Sequence, residues 1–237
     1  MEYKDCIILA GGLGTRLQSV VEDKPKCLAP IDGKPFLHYL LLQIQRYHFR
    51  NIIFSVGYKK EMVKDYLSKN ANNYSFEYVF AEEEEPLGTG GAIMNAMQYV
   101  ATDDAIVMNG DTLFDIDLDA LYLFQKNNMA DCTLALKLMN EAGRYGIVHI
   151  DEQNSITSFE EKKIGASGLI NGGIYCLFKK SFINIPFEKK FSFEKEYLEK
   201  MISERNFMAF TQDKYFIDIG IPTDYNKAQT DIPRLFN

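Results

Sequence analysis

The chain has 237 residues, 46% of them hydrophobic and 25% charged, and its 26 Lys and Arg against 33 Asp and Glu give a formal net charge of −7. That balance belongs to a soluble globular protein, and the acidic sum excludes a broad basic face for nucleic acid, because such binding rests on neutralising many phosphates. Scattered cysteines (Cys6, Cys27, Cys132, Cys176) and histidines without short metal-ligand spacing (His38, His48, His149) argue against a disulfide scaffold and a structural zinc site.

Taken in chain order, Cys6–Ala10 is a short apolar run ending in glycines, the pattern of a parallel strand buried on both faces. Pro35–Tyr47 places Phe36, Leu40, Leu41, Ile44 and Tyr47 at helical spacing. Asn51–Val56 reads as a strand, Lys60–Ser68 as a helix and Phe76–Phe80 as a strand again. Gly91–Val100 suits a helix, and Ala105–Met108 is another buried strand, stopped by Asn109-Gly110-Asp111. Strands alternating with helices imply βαβ units and a parallel sheet covered on both sides. Further on, Cys132–Leu138, Ile147–Asp151, Ile156–Phe159 and Gly173–Phe178 read as strands close enough together for antiparallel pairing. Phe193–Glu204 has the spacing of an amphipathic helix, Tyr215–Ile219 of a last short strand, and Pro222 suits the first turn of a closing helix. With no internal repeat, one domain is expected over 1–237. No C-terminal β-helix is expected.

Nothing at the N-terminus resembles a signal peptide, and no apolar stretch approaches the ~20 residues that span a bilayer. A cytoplasmic protein without a membrane partner is expected.

Gly11-Gly12-Leu13-Gly14-Thr15-Arg16 directly follows the first strand. Such a loop either makes an anion-binding nest of free N–H groups or is a plain tight turn. It lacks the Lys of a P-loop, and Leu17 replaces the third small residue of a dinucleotide fingerprint. Arg16 is a planar cation suited to phosphate oxygens. Lys26, in the stiff Lys24-Pro25-Lys26 segment, is either a solvated surface lysine or the partner of an anion. Asp111 and Asp218 each follow an apolar strand. They either begin turns or together hold one Mg²⁺, which is bound typically by one or two carboxylates plus substrate phosphates. Ligands of open parallel sheets lie outside the strand carboxyl ends, so Asp111 and the Gly11–Arg16 loop are expected to face one crevice.

Leu9-Ala10-Gly11-Gly12-Leu13-Gly14-Thr15-Arg16-Leu17, Lys24-Pro25-Lys26, Pro86-Leu87-Gly88-Thr89-Gly90-Gly91-Ala92, Asn109-Gly110-Asp111, Phe159-Glu160-Glu161-Lys162, Asn171-Gly172-Gly173-Ile174-Tyr175 and Asp218-Ile219-Gly220 occur in that order. In this the chain resembles the sugar-1-phosphate nucleotidyltransferases from about Ile7 to Tyr225, and among their subgroups most of all the D-glycero-α-D-manno-heptose 1-phosphate guanylyltransferases. Mannose-1-phosphate guanylyltransferases and uridylyl-, thymidylyl- or cytidylyltransferases are close relatives. The resemblance implies a Rossmann-like, glycosyltransferase-A-like α/β fold with a mixed, mostly parallel sheet flanked by helices and a small antiparallel sugar-binding part; residues 1–111 would be its nucleotide-binding half and 112–237 its sugar-binding and second metal-ligand half. It implies transfer of a nucleoside monophosphate from an NTP to a sugar 1-phosphate with release of pyrophosphate, Mg²⁺ as cofactor, and a homodimer or higher homo-oligomer. By the same resemblance Leu9, Ala10, Gly11, Gly12, Gly14, Thr15, Pro86, Leu87, Gly88 and Thr89 wrap the nucleotide. Arg16 grips its outer phosphates and Lys26 lies between the α-phosphate and the sugar phosphate. Asp111 and Asp218 hold the metal, and Asn109, Tyr145, Gly146, Glu161, Lys162, Asn171 and Gly172 bind the sugar phosphate. A catalytically dead nucleotide-sugar-binding domain is disfavoured, because Arg16, Lys26, Asp111 and Asp218 are all present.

Glu83 stands where pyrimidine-specific relatives resemble one another in having glutamine. An ionised carboxylate offers acceptors only, which suits the adjacent N1–H and N2 amino donors of guanine and opposes the carbonyls of uracil or thymine. GTP is therefore the expected nucleotide. Another glutamate of Glu82–Glu85 facing the base, or none, stays an alternative.

Overall fold

Strand β1 (Lys4–Leu9) divides its side chains between two apolar cores, Cys6 and Ile8 facing one and Ile7 the other. A strand covered on both faces needs this continuous apolar run rather than alternation. The computed structural model describes residues 4–12, 17, 21, 23–161 and 165–236. After β1 come a short hairpin, β2 (Pro30–Ile31) with β3 (Lys34–Pro35), and helix α1 (Phe36–Ile44), whose buried face includes Phe36, Leu37, Leu40, Leu41 and Ile44. Strand β4 (Phe49–Val56) then pairs in parallel with β1, and β5 (Glu77–Glu82) in parallel with β4 across helix α2 (Lys60–Asn70). Helix α3 (Gly88–Ala96) leads to β6 (Asp104–Asn109), which lies on the other side of β1, also parallel.

Beyond β6 the pairing changes. Strand β7 (Thr112–Phe114) leaves the main sheet, and helix α4 (Leu118–Asn127) starts at Asp117, whose carboxylate accepts from the N–H groups of Asp119 and Ala120, a standard N-cap. Strands β8 (Cys132–Met139), β9 (Ile147–Ile150), β10 (Ile156–Glu160) and the long β11 (Gly168–Phe178) follow, and β11 runs antiparallel to β6, β8 and β9. Helix α5 (Lys179–Ile183), a π-helix over Phe193–Glu199, β12 (Phe207–Thr211), β13 (Phe216–Asp218) and α6 (Pro222–Leu235) complete the chain. Among the described residues the main sheet has nine strands in the order β10-β9-β11-β6-β1-β4-β5, with β8 and β12 branching from β11. The expected mixed, mostly parallel sheet with helices on both faces is what folds.

Two details differ from the sequence reading. Phe193–Glu204 is not one amphipathic helix: it is a π-helix to Glu199 followed by turns. The wider π turn fits the aromatic cluster it must fill, where Phe193, Tyr197, Phe182 and Phe207 meet edge to face at 5.0–5.9 Å. The expected strand 173–178 is also longer, because Gly168–Asn171 continues it on the far side of a bulge at Asn171/Tyr175.

Helix α3 is stitched to the segment before that π-helix. The N–H groups of Gly90 and Gly91 both point to the Phe191 carbonyl (3.0 and 3.4 Å), and Phe191 N–H donates to the Leu87 carbonyl at 3.0 Å. A Cβ on Gly91 would stand 2.5 Å from the Lys189 carbonyl oxygen and 2.9 Å from the Leu87 Cβ. Alanine is intrinsically better than glycine in a helix by about 1 kcal/mol, whereas overpacking against fixed neighbours costs about 1–3 kcal/mol. Because the obstacle is main chain, packing wins. Gly91→Ala is expected to lower the urea midpoint with an unchanged m-value; a midpoint at or above wild type would show that the 187–191 segment yields freely.

Candidate active site

Four parallel strands end at one opening. Ala10 N–H donates to Ser55 O (2.8 Å), Gly110 N–H to Leu9 O (3.0 Å) and Glu83 N–H to Val56 O (2.8 Å), so the segments leaving β1, β4, β5 and β6 are tied edge to edge. A cavity of about 360 Å³ lies there, lined by Leu9–Gly12, Lys26, Ser55, Glu83, Gly88, Thr89, Asn109 and Asp111 among others. Its size suits a small-molecule ligand, and its place outside strand carboxyl ends is the one expected of an open parallel sheet.

The structure gathers Leu9, Ala10, Gly11, Gly12, Lys26, Glu83, Pro86, Gly88, Thr89, Asn109 and Asp111 around this cavity. Gly14, Thr15, Arg16 and Lys162 lie outside the described residues. Leu87 does not line the cavity: it is buried, and its main chain serves the Glu83 and Phe191 contacts. Thr89 does line it, but its hydroxyl donates to Glu194 (2.7 Å) and accepts from Phe193 N–H (2.9 Å), so it latches α3 to the π-helix.

Glu83 is half-buried between two cavities, the second of about 220 Å³ bounded by Gly57, Tyr58 and Glu84. Its Oε2 accepts from Leu87 N–H at 3.0 Å and its Oε1 lies 3.4 Å from the Ser55 hydroxyl. A Cβ on Gly11 would fall 2.5 Å from Glu83 Oε1, so that glycine makes room for a carboxylate as well as for a ligand. Two of roughly four acceptor directions of the carboxylate are used, leaving capacity for two more donors.

Asp111 and Asp218 meet because β7 and β13 pair antiparallel, with Asp218 opposite Thr112 and Ile219 N–H donating to the Asp111 carbonyl at 3.0 Å. Burial, and next the Asp111 charge, raise the Asp218 carboxyl above the ordinary aspartate range. Lys26 Nζ sits 2.9 Å from Asp111 Oδ2. Its main chain is a single 3₁₀ turn, Lys26–Leu28, closed by Leu28 N–H to Pro25 O. Two neighbouring carboxylates are a donor set that fits Mg²⁺, since that ion takes few protein ligands and completes its shell with phosphates and water. Among the described residues no cluster of three or more His, Cys, Asp or Glu suits a metal.

The remaining predicted residues lie toward β8–β11. Tyr145, in the β8–β9 connection, packs edge to face on Phe216 (5.7 Å), and burial above all pushes its phenol up to about 12. Gly146 abuts the Glu160 carbonyl, and Glu161 is exposed at the end of β10. Asn171 bonds within its bulge, donating to Tyr175 Oη (2.8 Å) and accepting from Gly173 N–H (2.9 Å), and Gly172 is buried beside Phe114. None of these five lines the 360 Å³ cavity.

Two residues beyond the sequence reading join the site. Ser55 lines the cavity from the end of β4 and touches Glu83. Arg144 bridges Asp224 (2.5 Å) and Asp218 (3.8 Å) while its guanidinium lies over the Tyr145 ring at 4.9 Å. Arg144 precedes Tyr145-Gly146 directly, and that adjacency was the available signal; nothing local marks Ser55.

Comparison with known proteins agrees with this geometry. A D-glycero-alpha-D-manno-heptose 1-phosphate guanylyltransferase of Aneurinibacillus thermoaerophilus is 45% identical over 228 residues, 96% of this chain and 98% of that one. Another, of Campylobacter jejuni, is 46% identical over 219 residues, 92% of this chain and 96% of that one. The crystal structure of HddC from Yersinia pseudotuberculosis superposes with a TM-score of 0.86 at 40% identity, covering 99% of this chain and all of that one. HddC complexed with GMP-PN gives 0.81 at 39% identity over the same shares. The nucleotidyl transferase model matches residues 5–234, and the chain belongs to that family.

Proposed function

We propose that this enzyme transfers GMP from GTP to D-glycero-α-D-manno-heptose 1-phosphate, giving GDP-heptose and pyrophosphate for surface polysaccharide synthesis in the cytoplasm. The observation that carries the nucleotide choice is the Glu83 carboxylate, fixed in the wall of the cavity with acceptor capacity to spare. Guanine alone among the common bases presents two adjacent Watson–Crick donors to it. The heptose follows from relatives that match nearly the whole chain.

The reaction is a displacement at the α-phosphorus. The nucleophile is a phosphate monoester oxygen with a second pKa of about 6, ionised at neutral pH without a general base. The enzyme's task is to bring two anions together, which cations accomplish by neutralising charge and fixing geometry. In this reading Lys26 lies between the triphosphate and the sugar phosphate, Arg16 serves the outer phosphates and Lys162 the sugar phosphate; the Lys26 ammonium beside Asp111 at the cavity supports its part. Asp111 and Asp218 hold Mg²⁺, which when bound supplies positive charge for the phosphate oxygens. Glu161, Tyr145, Gly146, Asn109, Asn171 and Gly172 form the sugar side.

A pyrophosphate-release assay that crosses five nucleotides (ATP, GTP, CTP, UTP, dTTP) with heptose, mannose, glucose and N-acetylglucosamine 1-phosphates tests this reading. Turnover is expected with GTP and the heptose phosphate; a maximum with mannose 1-phosphate or with UTP would overturn the sugar or the base. Asp111→Asn and Asp218→Asn are each expected to lower kcat by about 10²-fold or more, the scale of a lost electrostatic group in an active site. Asp218→Asn should melt at or above wild type, since it removes a half-buried like charge. Near-normal turnover in both variants would remove the metal assignment. Glu83→Gln is expected to reduce the GTP-over-UTP ratio of kcat/KM by about tenfold or more, and an unchanged ratio would take Glu83 out of base recognition.

A further inference from the structure

The oxygens of the two paired aspartates are already occupied from within the protein. Asp111 Oδ2 has Lys26 Nζ at 2.9 Å, and Asp111 Oδ1 has the Thr112 hydroxyl at 3.4 Å. Asp218 Oδ1 accepts from Gly220 N–H at 2.7 Å, and Asp218 Oδ2 faces Arg144 Nη2 at 3.8 Å. A cation therefore stands on each carboxylate. With Asp224, which Arg144 also holds at 2.5 Å, the group comprises three carboxylates and two fixed-sign cations.

We infer that Lys26 and Arg144 are built-in counter-ions of this pair, keeping a divalent cation weakly bound until the nucleotide's phosphates draw Lys26 off Asp111. The inference rests on the proposed reading of Asp111 and Asp218 as the metal ligands. Two properties of the cations assign them different parts. Lys26 is a point charge on a flexible four-carbon stem, and among the described residues it forms its ion pair with Asp111. Phosphate oxygens arriving in the same cavity compete directly for its ammonium, and its departure uncovers Oδ2. Arg144 is held otherwise: its planar group lies on the Tyr145 ring, bonds the Tyr145 hydroxyl and pairs with Asp224 on the first turn of α6. It stays, as a fixed positive charge that orients Asp218 and limits how strongly the dyad attracts a metal. Mg²⁺ gives up its water reluctantly and is commonly shared between carboxylates and substrate phosphates. A dyad neutralised from within holds it well only once those phosphates are present.

Mn²⁺ binding followed by electron paramagnetic resonance on the nucleotide-free full chain tests this directly, because it reads the metal without turnover. Lys26→Met, close in length and shape, is expected to bind Mn²⁺ about tenfold or more tightly than wild type, since a unit charge within 4 Å of a ligand oxygen is worth at least that much near a protein surface. Arg144→Met should also tighten binding, by less, given its longer contact. Either gain should vanish when Asp111→Asn is added. Affinities equal to or weaker than wild type in folded Lys26→Met and Arg144→Met would overturn the inference; Lys26→Gln replaces the first variant if its melting curve shows it unfolded. The underlying reading has its own arm, Mn²⁺ titration with GTP and no sugar phosphate. Metal affinity there that ignores both Asp111→Asn and Asp218→Asn would defeat the metal assignment and the inference with it. Dependence on both aspartates without any gain in Lys26→Met would defeat the inference alone.

Discussion

Asp111 and Asp218 come from points more than a hundred residues apart in the chain and are made neighbours by the short pairing of β7 with β13. Two like charges in a half-buried crevice repel, and burial already disfavours the Asp218 anion. Much of the surrounding structure answers that repulsion. Lys26 is brought to Asp111 by a stiff turn between prolines, Arg144 to Asp218 by the β8–β9 connection, and the Gly220 N–H bonds the second carboxylate at 2.7 Å. The first turn of α6 is drawn in as well, through Asp224. An arrangement this unfavourable by itself persists only where the fold enforces it, which is why perturbed carboxyl pairs in clefts point to function.

The nucleotide side is governed by packing rather than by charge. The glycines of the Pro86–Ala92 run serve close approach: α3 is bonded to the Phe191 carbonyl and latched by Thr89 to Glu194 and Phe193. Behind that seam lies the aromatic cluster of Phe182, Phe191, Phe193 and Tyr197. Glu83 is thus mounted on a wall that is fixed from behind. For the proposed reading of a base by Glu83 this fixing matters, because a carboxylate free to rotate would accept a bridging water as readily as two adjacent donors.

The parallel half of the fold was legible because buried parallel strands are short, continuously apolar and punctuated by glycine, as in Cys6–Ala10 and Ala105–Met108. The crevice followed from where those strands end. What escaped was set by non-local packing. Phe193–Glu199 carries helical spacing, but its turn is widened by the rings it meets, which no local propensity encodes. Strand β7 is not legible in the sequence, because its three residues are too few for a period to show, whereas helix α4 has an ordinary N-cap in Asp117. At the site, the glycine loop, Lys26, Asp111, Asp218 and Glu83 carried recognisable spacing. Arg144 and Ser55 did not, since an arginine on a loop and a serine at a strand end acquire meaning only from what the fold sets beside them.

Arg144 also connects the two halves of the site. Its guanidinium touches the Asp218 carboxylate, one of the two proposed metal ligands, on one side and the ring and hydroxyl of Tyr145 on the other, and Tyr145 in turn packs on Phe216, two residues before Asp218. The sugar-side connection and the end of β13 therefore form one closed set of contacts, and neither can shift without the other. In-line displacement between two bound anions demands such rigidity, because effective concentration falls steeply once the reacting groups lose their alignment. A flexible join would let charge repulsion push the two phosphates apart. Here Asp218, proposed as one of the metal ligands, and the aromatic wall proposed for the sugar are held by a single cation, Arg144, so the interaction inferred to counter the Asp218 charge also sets that carboxylate's register against the proposed acceptor side.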